Sequence, residues 1–278
     1  MVNILLLREP SDPPPDRYET AFAFAGYEPV SIPVLETVHT NRETLLSLIN
    51  EGPSANGVSG VVITSKRSCD AWGEALRMLQ GDAGPEVASW STVPFYVVGE
   101  STASALRATF MTYEQLGLEP PEIRGQGSGN AAVLGPFILN DMKERPAKLL
   151  YLTGDKNRDT LPNILEEGGL SLLSLQVYMT QGSSTFEATL DSRLMEAEND
   201  DWWIIYFAPS AADFATPILQ EKFRQDEEKR AISRKYWNGA IGPTTHTFLR
   251  DTLGIPVHAV AHKPTPDDIV TAVRNFNS

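Results

Sequence analysis

The feature that most constrains the fold is an alternation of short apolar runs with amphipathic stretches along almost the whole chain. Runs such as VVIT and WWIIYF lack polar alternation, which is typical of strands buried on both faces of a parallel sheet covered by helices. We predict strands over residues 2–7, 58–64, 95–98, 148–153, 172–180, 202–207, 239–242 and 257–261. We predict helices over residues 17–25, 42–49, 68–79, 103–109, 131–140, 160–167, 186–197, 211–223, 245–252 and 267–275. In PTPDDIV, Thr265 is predicted to cap the last of these helices and Pro266 to be its first residue. The pattern predicts an α/β protein.

The length of the chain and two extended segments indicate two domains. A chain of 278 residues suits two α/β domains of ordinary size. The segments 27–36 and 172–180 are extended in character, and each could carry the chain from one domain to the other. This suggests a discontinuous first domain with the middle of the chain inserted as a second, which periodicity permits but does not establish. The segments 11–15 and 81–91 are predicted to be loops. The charged run 222–235 is predicted to be a solvated helix continuation or insert.

Charge and cysteine content exclude several classes of protein. The formal net charge is −13 at pH 7, whereas binding to nucleic acid or to an anionic membrane surface requires basic patches. Cys69 is the single cysteine, so an internal disulfide and a thiolate metal site are excluded, and a reducing compartment is expected. The four histidines have no metal-ligand spacing; His258 and His262 stand four residues apart, but at a predicted strand end. The opening MVNILLLREP contains an apolar run too short for a signal peptide or a membrane span, so we expect a cytoplasmic protein.

Small hydroxyl and glycine residues follow the predicted strands in place of any familiar catalytic motif. The sequence has no Walker-A lysine, no GxGxxG after the first strand, no GxSxG elbow and no Cys–His pairing. In open parallel sheets, ligands bind at the carboxyl ends of strands, where helix N-termini present N–H groups to anions. Taken singly, each run is more often a cap or a turn, but five in succession favour a site for a polyanion. The runs are TSKR (64–67), GEST (99–102), TGDK (153–156), PS (209–210) and GPTT (242–245).

Two further features have a structural and a functional reading. The loop GQGSGN (125–130) precedes a predicted helix and looks like a phosphate cradle, but it lacks the Lys-Ser/Thr ending. Tyr178 follows the apolar residues of a predicted crossover strand, where a structural aromatic is the commoner reading.

A series of short motifs, in this order and spacing, resembles the uroporphyrinogen-III synthase family along nearly the whole chain. The motifs are ILLLREP, GYEPVSIPVLE, VVITSKR, YVVGESTASAL, GQGSGNAAVL, LLYLTGDKNRDTLPNIL, VYMT, IIYFAPSAADF, AIGPTTHTFLR and VAHKPTPDDIVTAV. Each is short, and their co-occurrence is what makes the resemblance specific.

The resemblance implies two flavodoxin-like, parallel-sheet domains joined by a two-stranded linker, with the active site in the cleft between them. Domain 1 would comprise residues 1–33 and 181–278, domain 2 residues 35–175, and the linker strands would lie near 28–36 and 172–180. The implied protein is a cytoplasmic, monomeric enzyme with no cofactor and no metal. Its substrate would be hydroxymethylbilane, a linear tetrapyrrole with acetate and propionate side chains, cyclised with loss of water and inversion of ring D.

The resemblance also implies site residues. Tyr178 of VYMT matches the tyrosine that helps the substrate hydroxyl to leave. The hydroxyl positions that line the cleft match Ser65, Thr102, Ser210, Thr244 and Thr245, and Asn130 lies in the matching GN loop. Apart from the resemblance, we add Arg8, Lys66 and Lys156 to the predicted substrate-binding residues, because they are cations near strand ends. Two residues depart from the expected pattern, because Ala208 stands where many relatives have serine and Glu100 places a carboxylate in a loop that would meet an anionic substrate.

Two alternatives stay open at this point. One is a non-catalytic, two-lobed protein that binds a small anion in the same crevice. The other is a flavodoxin-like protein that binds FMN, although the loop REPSDPPPD lacks the Ser/Thr-Gly run of such a phosphate site.

Overall fold

A computed structural model describes residues 2–143, 147–197, 201–229 and 235–276. The chain divides into two compact units, Met1–Glu36 with Gln181–Ser278 (unit 1) and Thr37–Thr180 (unit 2). Among the described residues, no helix is long and apolar enough to cross a membrane. The predicted α/β architecture is confirmed, because a sheet of mainly parallel strands with helices between them forms each unit.

Unit 1 contains a five-stranded sheet in the order β2-β1-β9-β10-β11, in which every pair is parallel. This is the flavodoxin-like order, whose topological switch point lies between β1 and β9. Its strands are β1 (Asn3–Leu7), β2 (Glu28–Ser31), β9 (Asp201–Tyr206), β10 (Lys235–Ala240) and β11 (Ala259–Val260). Its helices are α1 (Arg17–Phe24), α7 (Phe186–Glu196), α8 (Pro209–Lys229), α9 (Pro243–Thr247) and α10 (Pro266–Phe276), and α9 continues into a π-helical turn over Phe248–Thr252.

Unit 2 contains a six-stranded sheet in the order β3-β8-β7-β4-β5-β6. Apart from the edge strand β3, this is the doubly wound order 3-2-1-4-5, and its switch point lies between β4 and β7. Its strands are β3 (Leu35–His39), β4 (Val58–Ile63), β5 (Phe95–Val97), β6 (Ile123–Arg124), β7 (Lys148–Gly154) and β8 (Ser171–Gly182). Its helices are α2 (Arg42–Ala55), α3 (Lys66–Met78), α4 (Glu100–Thr112), α5 (Ala131–Asp141) and α6 (Thr160–Glu167).

Both sheets bury apolar side chains on their two faces, which explains the unbroken apolar runs. In β1, Leu5 and Leu7 belong to one core cluster, while Ile4 and Leu6 belong to another. In β4, Val61 and Ile63 lie on one side of the sheet and Val62 on the other. Each of these side chains is at most 1% exposed. The sheets therefore need no polar alternation, as expected for parallel strands covered on both sides.

Helix ends follow local sequence signals. Thr265 Oγ1 accepts a hydrogen bond from the N–H of Asp268 at 3.3 Å, and α10 begins at Pro266, so the predicted cap is confirmed. The segment 81–91 differs from prediction, because Pro85–Thr92 forms a 3₁₀ helix. Trp90 explains the difference, since it is fully buried against Trp72 and its indole N–H donates to the carbonyl of Ile49 at 2.9 Å.

The chain passes from one unit to the other within β3 and within β8, which are neighbours in one sheet. The predicted linker near 28–36 differs from this arrangement, because β2 pairs with β1 inside the sheet of unit 1. A short loop separates β2 from β3, and both strands are extended, so the sequence pattern predicts a single extended segment there. The predicted charged run 222–235 continues α8 as far as Lys229, and residues 230–234 lie outside the described residues.

Candidate functional site

The predicted site residues of unit 2 lie along the carboxyl edge of its sheet. Ser65 and Lys66 follow β4, Thr102 follows β5, Asn130 lies after β6, and Lys156 follows β7. Lys66 and Lys156 are exposed, and neither forms an ion pair with the described part of the chain. The edge thus presents hydroxyl groups, helix N-termini and two cations on one side of the sheet, as an anionic ligand requires.

Tyr178 lies at the same edge, where a strand pairing and a contact with Arg67 define its position. It pairs with Gly154 across β7 and β8, at a point where the register of the two strands shifts. The guanidinium of Arg67 stands over its ring, 5.7 Å from the centroid. The side chain is half-buried and packs against the unit 2 core, which leaves part of it open to solvent. This places a phenol and a cation beside the β4–β7 switch point, where doubly wound sheets bind ligands.

Three residues at this switch point were missed by the sequence prediction. Arg67 is one, although it directly follows Lys66 in TSKR; nothing local indicates which of the two cations meets a tyrosine more than a hundred residues away. The other two are Tyr151 and Asn157, whose side chains form a hydrogen bond of 3.0 Å. Burial raises the pKa of the Tyr151 phenol, so it stays a neutral hydrogen-bonding group at pH 7.

The remaining unit 2 residues are largely tied to their own helices. Ser65 caps α3 by accepting from the N–H of Arg67 at 3.2 Å, and Asn130 caps α5 by accepting from the N–H of Val133 at 3.0 Å. Thr102 is buried. Glu100 forms an ion pair with Arg107 at 2.7 Å, and this hydrogen bond lowers the pKa of Glu100. The carboxylate that departs from the family pattern is therefore paired along its own helix.

Arg8 of unit 1 is held by an internal ion pair. Its Nη1 atom lies 2.6 Å from the carboxylate of Asp16, and its guanidinium stacks over the rings of Tyr18 and Phe207. Asp16 also accepts from the backbone N–H groups of Ser11, Tyr18 and Glu19, at 2.7, 2.9 and 3.1 Å. Burial opposes ionisation of Asp16, but these hydrogen bonds together hold its pKa well below the usual range.

In this arrangement, a carboxylate of the protein itself caps the N-terminus of α1 and pairs with the Arg8 guanidinium. The Asp16 carboxylate occupies the N-terminus of α1, where a phosphate would sit in a flavodoxin-like domain. Arg8 is paired with Asp16 there, and its role in substrate binding stays a prediction. Because the Asp16 carboxylate occupies that place, the FMN alternative lacks its phosphate site.

Unit 1 offers further hydroxyl groups at the carboxyl edge of its own sheet. Ser210 is the second residue of α8, which follows β9, and its side chain is exposed. Thr244 and Thr245 follow β10 in α9; Thr244 is exposed and Thr245 is buried. Thr244 and Ser210 are therefore available to a ligand, whereas Thr245 packs inward.

The chemistry available at these edges is hydrogen bonding and electrostatics. Among the described residues, no group of three or more His, Cys, Asp or Glu side chains could hold a metal ion. Cys69 is fully buried, and burial raises the pKa of its thiol to about 12, so it is no nucleophile at pH 7. What the edges do provide is a phenol, several hydroxyl groups, helix N-termini and exposed cations.

Comparisons of sequence and of structure with known proteins point to the same family. The chain matches the family model "Uroporphyrinogen-III synthase HemD" over residues 16–271. It is 24% identical over 285 residues to the uroporphyrinogen-III synthase of Saccharomyces cerevisiae, a match that covers 99% of this chain and 96% of that protein. Its fold is similar to that of uroporphyrinogen-III synthetase from Helicobacter pylori 26695, with a TM-score of 0.50, 17% identity, and coverage of 99% of this chain and 100% of that one.

Proposed function

Because this chain belongs to the uroporphyrinogen-III synthase family, we propose that it cyclises hydroxymethylbilane to uroporphyrinogen III, with loss of water and inversion of ring D. The family match over residues 16–271 is the observation that carries this proposal. The position of Tyr178 at the unit 2 switch point agrees with this proposal, because the phenol supplies a hydrogen-bond donor where such sheets bind ligands.

The reaction depends more on how the protein orients the substrate than on chemical activation of the leaving group. An electron-rich pyrrole expels its hydroxyl group readily, and the resulting azafulvene cation closes on the free carbon of ring D without help, giving isomer I. Isomer III requires attack by the substituted carbon of ring D, followed by rearrangement of a spiro intermediate. A protein that holds the chain folded so that only this carbon is within reach works through orientation.

Tyr178 is proposed as the acid that assists departure of the hydroxyl group. The phenol donates its proton to the leaving oxygen, the C–O bond breaks, and water is released. Arg67 stands over the ring and keeps it in place with a positive charge beside it. General acid assistance of this kind contributes on the order of 10²- to 10⁴-fold.

Binding of the substrate carboxylates is proposed to rest on local groups. Ser65 and Asn130 with Lys66 and Lys156 serve in unit 2, while Thr102, which is buried, supports the N-terminal turn of α4 and is not proposed as a direct contact. Ser210, Thr244 and Thr245 are proposed for unit 1, with Thr245 acting through its backbone because its side chain is buried. These groups must outweigh the net charge of −13 at short range, which they can do within a Debye length of about 8 Å.

We also propose that the protein is a cytoplasmic monomer and that β3 and β8 are the linker between its domains. The single cysteine suits a reducing compartment. The linker proposal is supported by the passage of the chain between the two units in these neighbouring strands.

The test is to supply the purified protein with hydroxymethylbilane generated in situ and to separate the oxidised uroporphyrin isomers by chromatography. Predominance of isomer III over a control without protein is the expected result. Isomer I alone, in the proportion given by the control, would refute the proposal and favour a non-catalytic protein that binds a small anion.

A further inference from the structure

The ring of Tyr178 occupies space that any side chain at position 154 would fill. Gly154 is the last residue of β7 and pairs with Tyr178 just after the shift in register. A Cβ atom at position 154 would lie 2.4 Å from Cζ of Tyr178, 2.5 Å from Cε2 and 2.7 Å from the phenolic oxygen. Packed atoms do not approach so closely, so a Cβ atom and the ring cannot share this place.

The backbone on both sides of this contact is held independently of the ring. The β7–β8 pairing fixes Tyr178 from one side, and the Asp155 carboxylate accepts from the N–H of Thr180 at 3.2 Å on the other. Gly154 has no left-handed φ, so its backbone conformation suits alanine. The three atoms nearest to such a Cβ atom are all at the far end of the Tyr178 side chain. Rotation of that side chain is therefore the least costly response to a methyl group at position 154.

From this geometry, we propose that Gly154 is a positioning residue for the reaction, because its missing side chain determines where the Tyr178 phenol stands. This inference rests on the proposed function for its kinetic part. A methyl group at position 154 would rotate the Tyr178 ring away from its position beside Arg67, and the phenolic hydroxyl group would move with the ring. A displacement of about 1 Å at a reacting group can cost on the order of a hundredfold in rate.

The matched control is another strand glycine that meets the far end of a side chain. A Cβ atom at Gly239, in β10 of unit 1, would lie 2.7 Å from Cδ1 of Ile205. Gly239→Ala thus introduces a comparable steric conflict away from Tyr178. Both alanine variants are made in the full chain, and Gly154→Ala is also combined with Tyr178→Ala, which removes the ring.

The kinetic experiment measures kcat, KM and the ratio of isomers III and I for each variant. We expect Gly154→Ala to lower kcat by ~10- to 100-fold with KM little changed and with more isomer I. Gly239→Ala should keep kcat. In the Tyr178→Ala background, Gly154→Ala should have no further effect, because the ring it displaces is gone. A loss that is undiminished in that background would overturn the inference.

Fluorine NMR of protein labelled with fluorotyrosine separates the inference from the proposed function. The resonance of Tyr178 is assigned by its disappearance in Tyr178→Phe, and we expect it to shift in Gly154→Ala but not in Gly239→Ala. An unshifted resonance with wild-type kcat would overturn the positioning role. If the unaltered protein forms only isomer I, the proposed function fails, while the resonance still decides whether Gly154 sets the position of the ring.

Discussion

Replacement of Asp16 by alanine tests whether the loop after β1 is held by its own ion pair. The carboxylate is 1% exposed, and it receives one hydrogen bond from Arg8 at 2.6 Å. Three backbone N–H groups add further hydrogen bonds, two of them from the first turn of α1. Loss of a helix cap costs about 1 kcal/mol, and loss of a hydrogen bond between charged groups costs about 1.5–3 kcal/mol. Arg8 stays 19% exposed and keeps its aromatic contacts, which limits the penalty of an unpaired charge. We therefore expect Asp16→Ala to lower the free energy of unfolding by about 3 kcal/mol.

The control for this variant is Asp159→Ala. Asp159 also occupies a helix N-cap position, but its side chain makes no capping hydrogen bond and is exposed. Urea unfolding followed by intrinsic fluorescence gives the free energies, and hydrogen exchange locates the change. We expect amides of β1 and α1 to lose protection in Asp16→Ala while those of unit 2 keep theirs. A loss below about 1 kcal/mol, no larger than that of Asp159→Ala, would show that the ion pair contributes little.

The same variant has a defined pH dependence. The folded state lowers the pKa of Asp16, so its stabilising contribution is fully present above the unfolded pKa of about 4. The contribution is lost as the pH falls through the folded pKa, because both states then bind the proton. The difference in stability between the wild-type protein and Asp16→Ala should stay constant from about pH 5 to pH 8 and shrink below about pH 4. A difference that grows towards low pH would contradict the assignment.

Three further outcomes follow from the proposed site. Tyr178→Phe should lower kcat by ~10²- to 10⁴-fold with an unchanged midpoint of thermal unfolding, since only the hydroxyl group that serves as the acid is lost; full activity would remove the proposed acid. Lys66→Ala and Lys156→Ala should each raise KM while kcat is kept, because exposed cations contribute to binding alone; a selective fall in kcat would contradict this. The association rate constant for substrate, measured by stopped flow, should rise with ionic strength as salt screens the repulsion from a net charge of −13; a steep fall would mean that the local cations dominate steering.

The helices and strands were largely predictable because their signals are local. The predicted strand at 148–153 is observed as Lys148–Gly154, and the helix predicted over 160–167 has the same bounds in the structure. Caps such as Thr265 are also local, since the hydroxyl group bonds to an N–H three residues away. The exceptions are segments that owe their conformation to distant partners. Pro85–Thr92 forms a 3₁₀ helix because Trp90 packs against Trp72 in another element.

The sequence by itself determined the α/β class, the buried parallel strands and the position of hydroxyl groups after those strands. Periodicity and capping act over a few residues, so a single chain displays them directly. Only the tertiary structure decided the order of strands in each sheet, the neutralisation of Arg8 by Asp16 and the meeting of Arg67, Gly154 and Tyr178. These outcomes depend on which strands pair and in which register. A shift of one residue in β8 would turn Tyr178 to the other face of the sheet, and nothing near position 178 in the sequence specifies its partner.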